Sequence, residues 1–157
     1  MAIKRVMNRK VHYEGLEFDS REELRYYILL LDDKDVSCVH RQVRLCLIKP
    51  LYVLVPKALK TKVKWVKRRL VKGHYYTADF VFFERGKIVI CDVKSEYTSK
   101  LREFSITMKN CISLIVKHNL KRHHGEAKVI FRKAIYKNSK TLRIVDYPSD
   151  GEKVIYE

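Results

Sequence analysis

The chain has 157 residues, with 34 Lys and Arg against 18 Asp and Glu, a formal charge of +16. A hydrophobic content of 46% with only 5 Gly and 3 Pro excludes a disordered, low-complexity or collagen-like polymer. No apolar run approaches the ~20 residues of a membrane span, and the start Met-Ala-Ile-Lys-Arg-Val lacks an apolar secretory core. The expectation is one cytoplasmic domain with no membrane partner, whose basic excess points to a polyanion, nucleic acid above all.

Met1 to Gly15 reads as a basic arm. A helix is expected over Ser20–Leu31: Asp19 or Ser20 can cap it, Ser20 and Glu23 have capping-box spacing, and Leu24, Tyr27, Ile28 and Leu31 recur on one face. Val36–Ile48 reads as a strand stopped by Pro50, and Leu51–Val55 as a second extended piece. Lys57 to Gly73 is a basic loop or ribbon. Tyr75–Phe83 and Lys87–Lys94 are the clearest strands, joined by a tight turn at Glu84-Arg85-Gly86-Lys87. Thr98 or Ser99 should cap a helix to about Asn119, with Leu101, Phe104, Met108, Ile112 and Ile115 on one face. Ala127–Tyr136 and Leu142–Tyr147 read as two further strands, and Pro148-Ser149-Asp150-Gly151 as a turn. The order predicts a single α/β domain over residues 1–157, a mixed β-sheet flanked by helices. Cys38, Cys46, Cys91 and Cys111 have neither zinc nor disulfide spacing and are expected to be reduced and mostly buried.

The charge is segregated. Lys57, Lys60, Lys62, Lys64, Lys67, Arg68, Arg69 and Lys72 lie in one stretch without an acid. Lys117 to Lys140, including Lys121 and Arg122, is the second basic stretch, with Glu126 as its only acid. The acids gather between Glu14 and Asp35, between Asp79 and Glu103, and in the tail from Asp146. A merely solubilising surface would mix the signs. Trp65, inside the first basic stretch, reads either as a base-stacking residue or, the favoured reading, as an anchor of that stretch to the core.

If Arg85 and Gly86 are the central residues of the tight turn, Asp79 stands opposite Asp92, with Cβ atoms ~5 Å apart. Lys94 falls on the same face. Their neighbours are apolar on both faces, the mark of strands inside a sheet. Carboxylates and an ammonium there are costly unless paired or bound to a metal, and hard oxygen ligands of this kind suit Mg²⁺ or Mn²⁺. The alternative is a structural Asp–Lys ion pair near a strand end. Slippage by one residue would break the pairing, and Arg-Gly is a weaker turn signal than Asn-Gly.

Asp79, followed twelve residues later by Asp92-Val93-Lys94, resembles the signature of the PD-(D/E)XK nuclease superfamily, with Ala78 where the proline would stand. Gly15-Leu16-Glu17-Phe18-Asp19-Ser20 with Glu23 and Tyr26-Tyr27, then Arg41-Gln42, then Tyr76-Thr77-Ala78-Asp79-Phe80, are similar to one branch of it, the phage Holliday junction resolvase-like endonucleases. The likeness covers about Val11 to Thr98. It implies a restriction-endonuclease-like core and a Mg²⁺-dependent endodeoxyribonuclease, with Mn²⁺ as substitute. Asp79, Asp92 and the Val93 carbonyl would hold the metal, Lys94 would orient the attacking water, and Glu23 would complete the catalytic set. Glu22 is the alternative to Glu23, whose capping-box spacing offers it a purely structural task; Gln42 is an auxiliary residue.

The substrate implied is DNA, branched in the manner of a Holliday junction, cut by a homodimer in a bacterial host's cytoplasm. Lys62, Lys64, Lys67, Arg68, Arg69, Lys72, Lys121 and Arg122 would grip its phosphates. Two alternatives stand beside this reading. One is a related nuclease of linear duplex or transposon ends. The other is a basic nucleic-acid-binding module without catalysis.

Overall fold

A computed structural model of the chain describes residues 9–100 and 102–155, with the backbone alone at 102–104. The start of the basic arm, the last two residues of the acidic tail, Leu101 and the side chain of Phe104 lie outside the described residues. The chain divides into two compact units, Met1–Val43 with Ala78–Glu157, and Arg44–Thr77.

The first unit opens with a small hairpin, β1 (Val11–Tyr13) against β2 (Leu16–Phe18). Helix α1 follows at Arg21–Asp32. Ser20 caps it in extended backbone, its Oγ accepting the Glu23 amide at 3.1 Å, as the capping-box spacing predicts. The buried face differs from the expected one. Glu23, Tyr26 and Leu30 are buried, Leu24 and Tyr27 are half-buried, and Leu31 is exposed. The helix is rotated because its tyrosines pack on the sheet: Tyr27 stacks on Phe80 at 6.1 Å between centroids, and Tyr26 lies 5.9 Å from the same ring.

The main sheet has five strands in the order β3-β6-β7-β8-β9: β3 (Val36–Ile48), β6 (His74–Glu84), β7 (Lys87–Ser95), β8 (Lys128–Tyr136) and β9 (Leu142–Tyr147). Strand β7 pairs antiparallel with β6 and parallel with β8, so the sheet is mixed. The parallel step requires a crossover. A 3₁₀ turn at Thr98–Lys100 and helix α2 (Arg102–Lys121) supply it. Phe80, Phe82, Val89, Cys91, Val93, Ile130 and Ala134 form one core with Tyr26 and Leu30 of α1. By strand alternation, Asp79, Asp92, Phe131 and Ile135 lie on the other face, where α2 buries Cys111, Ile115 and Val116. Ile115 was expected on that stripe, but Met108 and Ile112 are only half-buried and Cys111 forms its centre.

The second unit holds the ends of β3 and β6 and a separate antiparallel ribbon, β4 (Leu51–Ala58) with β5 (Val63–Val71). Cys91 and Cys111 are buried, whereas Cys38 and Cys46 on β3 are exposed, because that strand lies at the edge of the sheet. Among the described residues no helix is long and apolar enough to cross a membrane.

Candidate active site

The tight turn sets the geometry. Arg85 has φ 48° and Gly86 φ 77°, the pair of positive angles that a two-residue hairpin turn of the favoured hand requires. Glycine takes that angle freely and arginine does so under strain. The register then runs from Glu84↔Lys87 to Phe80↔Cys91, the register expected from the sequence. One residue further stand Asp79 and Asp92. There the Asp79 Oδ2 accepts the Val93 amide at 2.7 Å. The Lys94 Nζ lies 3.3 Å from Asp92 Oδ2. Asp92 is 1% exposed and Asp79 7%.

Glu23 joins this group from α1, 6% exposed. Its Oε1 accepts from the Ser20 hydroxyl at 3.3 Å, and its Oε2 from the Gln42 Nε2 at 3.4 Å. Gln42 has φ 51°, a left-handed kink within β3. Such kinks re-aim a side chain, and this one accompanies the reach to Glu23. Arg41 lies over the Phe18 ring at 3.9 Å.

The electrostatics follow from crowding acids in a buried place. Burial pushes the Asp79 carboxyl up to about 8, and the Asp92 charge adds to this; Lys94 pulls the other way, Glu23 raises it further, and the Val93 amide lowers it. Burial and Asp19 raise Glu23, with Lys94 opposing. Burial works to lower the Lys94 ammonium, but Asp92, Asp79 and Glu23 outweigh it and the net shift is upward. Burial and the neighbouring acids thus favour the protonated form of Asp79.

This donor set fits a small hard cation. It offers two buried carboxylates whose mutual repulsion a divalent charge would relieve, next to the backbone of Val93. Among the described residues no group of three or more His, Cys, Asp and Glu forms a ready metal cage. Mg²⁺ does not need one, since it is commonly held by one or two carboxylates and keeps several waters.

The other predicted residues are on other elements. Lys121 ends α2, and Arg122 follows it with Nη1 donating to the Glu126 carbonyl at 2.7 Å. Lys64, Lys67, Arg68 and Arg69 are on β5, flanked by Lys62 and Lys72 in the same unit. Trp65 is no core anchor: it is 62% exposed, on a two-stranded ribbon too thin to bury both faces.

Sequence reasoning missed Lys133. It is the partner of Asp92 in the parallel β7–β8 register, and its Nζ donates to the Ser99 carbonyl at 3.1 Å. Burial and Arg143 lower its ammonium, while Asp92 raises it. No local signal marks a parallel partner. Cys111 on α2 also borders the site; burial and Asp92 push its thiol up to about 11.

A family described as "Protein of unknown function (DUF1064)" matches residues 4–121. The matched segment includes Glu23, Gln42, Asp79, Asp92, Val93 and Lys94. No curated protein and no solved structure matches the chain.

Proposed function

The chain belongs to the DUF1064 family, and we propose that it is a metal-dependent endodeoxyribonuclease acting on branched DNA such as four-way junctions. The observation that carries this reading is the buried Asp79–Asp92 pair with Lys94 at 3.3 Å from Asp92 and Glu23 close enough to raise Asp79. The order of elements supports a restriction-endonuclease-like core: an acid-bearing helix, a hairpin carrying Asp79 and Asp92-Val93-Lys94, and a helical crossover to a parallel strand. A homodimer in a bacterial host's cytoplasm, phage-encoded, fits the need to cut two opposed strands.

Asp79, Asp92 and the Val93 carbonyl would hold Mg²⁺ or Mn²⁺, which when bound polarises the scissile phosphate and makes water a better nucleophile near neutral pH. Asp79 would bind the cation as a carboxylate, with the Val93 amide keeping its Oδ2 in place. Lys94 orients the attacking water and offsets negative charge that grows on the phosphate in the transition state. Glu23, fixed by Ser20 and Gln42, supplies the third carboxylate. The basic side chains of β5 and those after α2 contact backbone phosphates, which positions DNA without reading its sequence.

The test is cleavage of an end-labelled four-way junction by the whole chain, with a linear duplex of equal length in competition. The proposal requires Mg²⁺-dependent nicking of the junction in preference to the duplex, and its loss in Asp92→Asn. Salt-sensitive binding without cleavage in Mg²⁺ or Mn²⁺ would make the protein a binding module instead.

A further inference from the structure

The residues from Arg44 to Thr77 include ten Lys and Arg and no Asp or Glu, so this unit alone contributes +10 (10 − 0) of the chain's +16. Its ribbon has two different faces. Strand alternation puts Val53, Val55 and Val66 on one, and all three are half-buried. The other bears Tyr52, Leu54 and Pro56 from β4, opposite Arg69, Lys67 and Trp65 from β5. On that face Leu54 is 66% exposed and Trp65 62%. The Lys67 Nζ sits 4.0 Å from the centroid of the Tyr52 ring.

Large apolar side chains left in water mark a surface that something covers. Charge decides what. A second copy related by two-fold symmetry would bring +10 against +10. A bilayer would have to take up Lys67 and Arg69 with the rings, because cations and rings alternate here and do not segregate. A nucleic acid satisfies both groups at once: its phosphates meet the cations, and its bases offer flat faces to aromatic rings. Paired, stacked bases expose no such faces, whereas a branch or a single-stranded flank does.

We infer that the Trp65–Tyr52 face of the β4–β5 ribbon stacks on unpaired or splayed bases, and so gives the chain its preference for branched over continuous duplex DNA. The inference rests on the DNA reading above and names Trp65 as a specificity-determining residue. Trp65 is the only tryptophan, so its fluorescence reports on this face alone.

Full-length protein in EDTA, which prevents cleavage, is titrated with a four-way junction, a splayed fork and a linear duplex, each at one fixed salt concentration. Quenching of Trp65 by the junction and the fork but not by the duplex is expected. Trp65→Ala should weaken junction and fork binding about tenfold, within the range for loss of one base–aromatic stack. Duplex affinity should change less than about twofold, and Trp65→Phe should restore most of the loss. Equal weakening on all three DNAs, or an unquenched Trp65, overturns the inference and leaves the nuclease reading standing. So does quenching by anionic phosphatidylserine vesicles but not by DNA, or by concentrating the protein alone. Failure of the wild type to bind any DNA would remove the nuclease reading as well.

Discussion

The Asp79 carboxylate of β6 accepts the backbone amide of Val93 on β7 at 2.7 Å. The paired main-chain register between these strands ends at Phe80↔Cys91, one residue short of Asp79 and Asp92. The bond fixes one oxygen of the Asp79 carboxylate against Val93, the residue between Asp92 and Lys94, the two side chains proposed to share a cation site with it.

Asp79 is expected to make stability fall as pH rises. Its folded pKa of about 8 lies far above its ordinary 3.8, so between those values the folded chain keeps a proton that the unfolded chain has lost. The stabilisation is complete below about pH 4 and is lost as pH climbs through about 8. Metal-free Asp79→Asn should flatten this slope and melt at least about 3 °C above wild type at pH 8.5, the shift that roughly 1 kcal/mol produces at this size. Mn²⁺ titrated into wild type at pH 7 should release close to one proton per site, seen as buffer-dependent calorimetric heat, and release little from the variant. Thermal melts at three pH values check the first part; a wild-type Tm independent of pH from 5 to 8.5 would contradict it.

Lys94→Met removes the ammonium that lies 3.3 Å from Asp92 Oδ2. Junction cleavage in Mg²⁺ should drop on the order of 10²–10³-fold in kcat, as for loss of one charge-stabilising donor. DNA affinity measured in EDTA should change less than about threefold. Single-turnover kinetics together with anisotropy separate the two effects. An equal loss in binding and rate would mean that Lys94 only holds DNA.

Gly86→Ala tests the turn that sets the register. At φ 77° a Cβ meets no neighbouring atom within 4 Å, so the cost is backbone strain alone. About 1 kcal/mol, or roughly 2–4 °C in Tm, is expected. An unchanged Tm would show that the hairpin tolerates another turn and that the Asp79–Asp92 register rests on the rest of the sheet.

Much of this was legible in local sequence. The turn residues, the alternation of Phe80 and Phe82 with Asp79 and Val81, and the Ser20 cap each act within a few positions, and each is where the sequence put it. Three features were not legible because they depend on distant partners. The face of α1 is chosen by Phe80, 53 residues beyond Tyr27 (80 − 27). Lys133 reaches the site through parallel pairing that no short-range signal encodes. Trp65 looked like an anchor because tryptophan is usually well buried, yet its ribbon has only two strands. Cys38 and Cys46 failed in the same way, since an edge strand cannot be told from a central one by its apolar content.

Arg68 and Arg69 lie on opposite faces of β5, so both cannot lean on one flat surface. A DNA backbone that wraps the ribbon would meet both, and each arginine would then contribute about one unit to the steepness of the slope of log affinity against log salt. Arg68→Ala and Arg69→Ala, measured by anisotropy between about 50 and 200 mM salt on a duplex, should each flatten the slope by roughly that amount. A slope unchanged in both variants would take the ribbon out of phosphate contact.

The central claim is that the buried acids cut DNA with a metal, and the rate of nicking of a labelled four-way junction tests it most directly. Wild-type protein should nick the junction in Mg²⁺, stop when EDTA is added, and lose the activity in both Asp79→Asn and Asp92→Asn while each variant still binds the junction in EDTA. Nicking that survives either substitution or persists without metal, or a wild type that binds the junction and leaves it intact in both Mg²⁺ and Mn²⁺, would contradict the account.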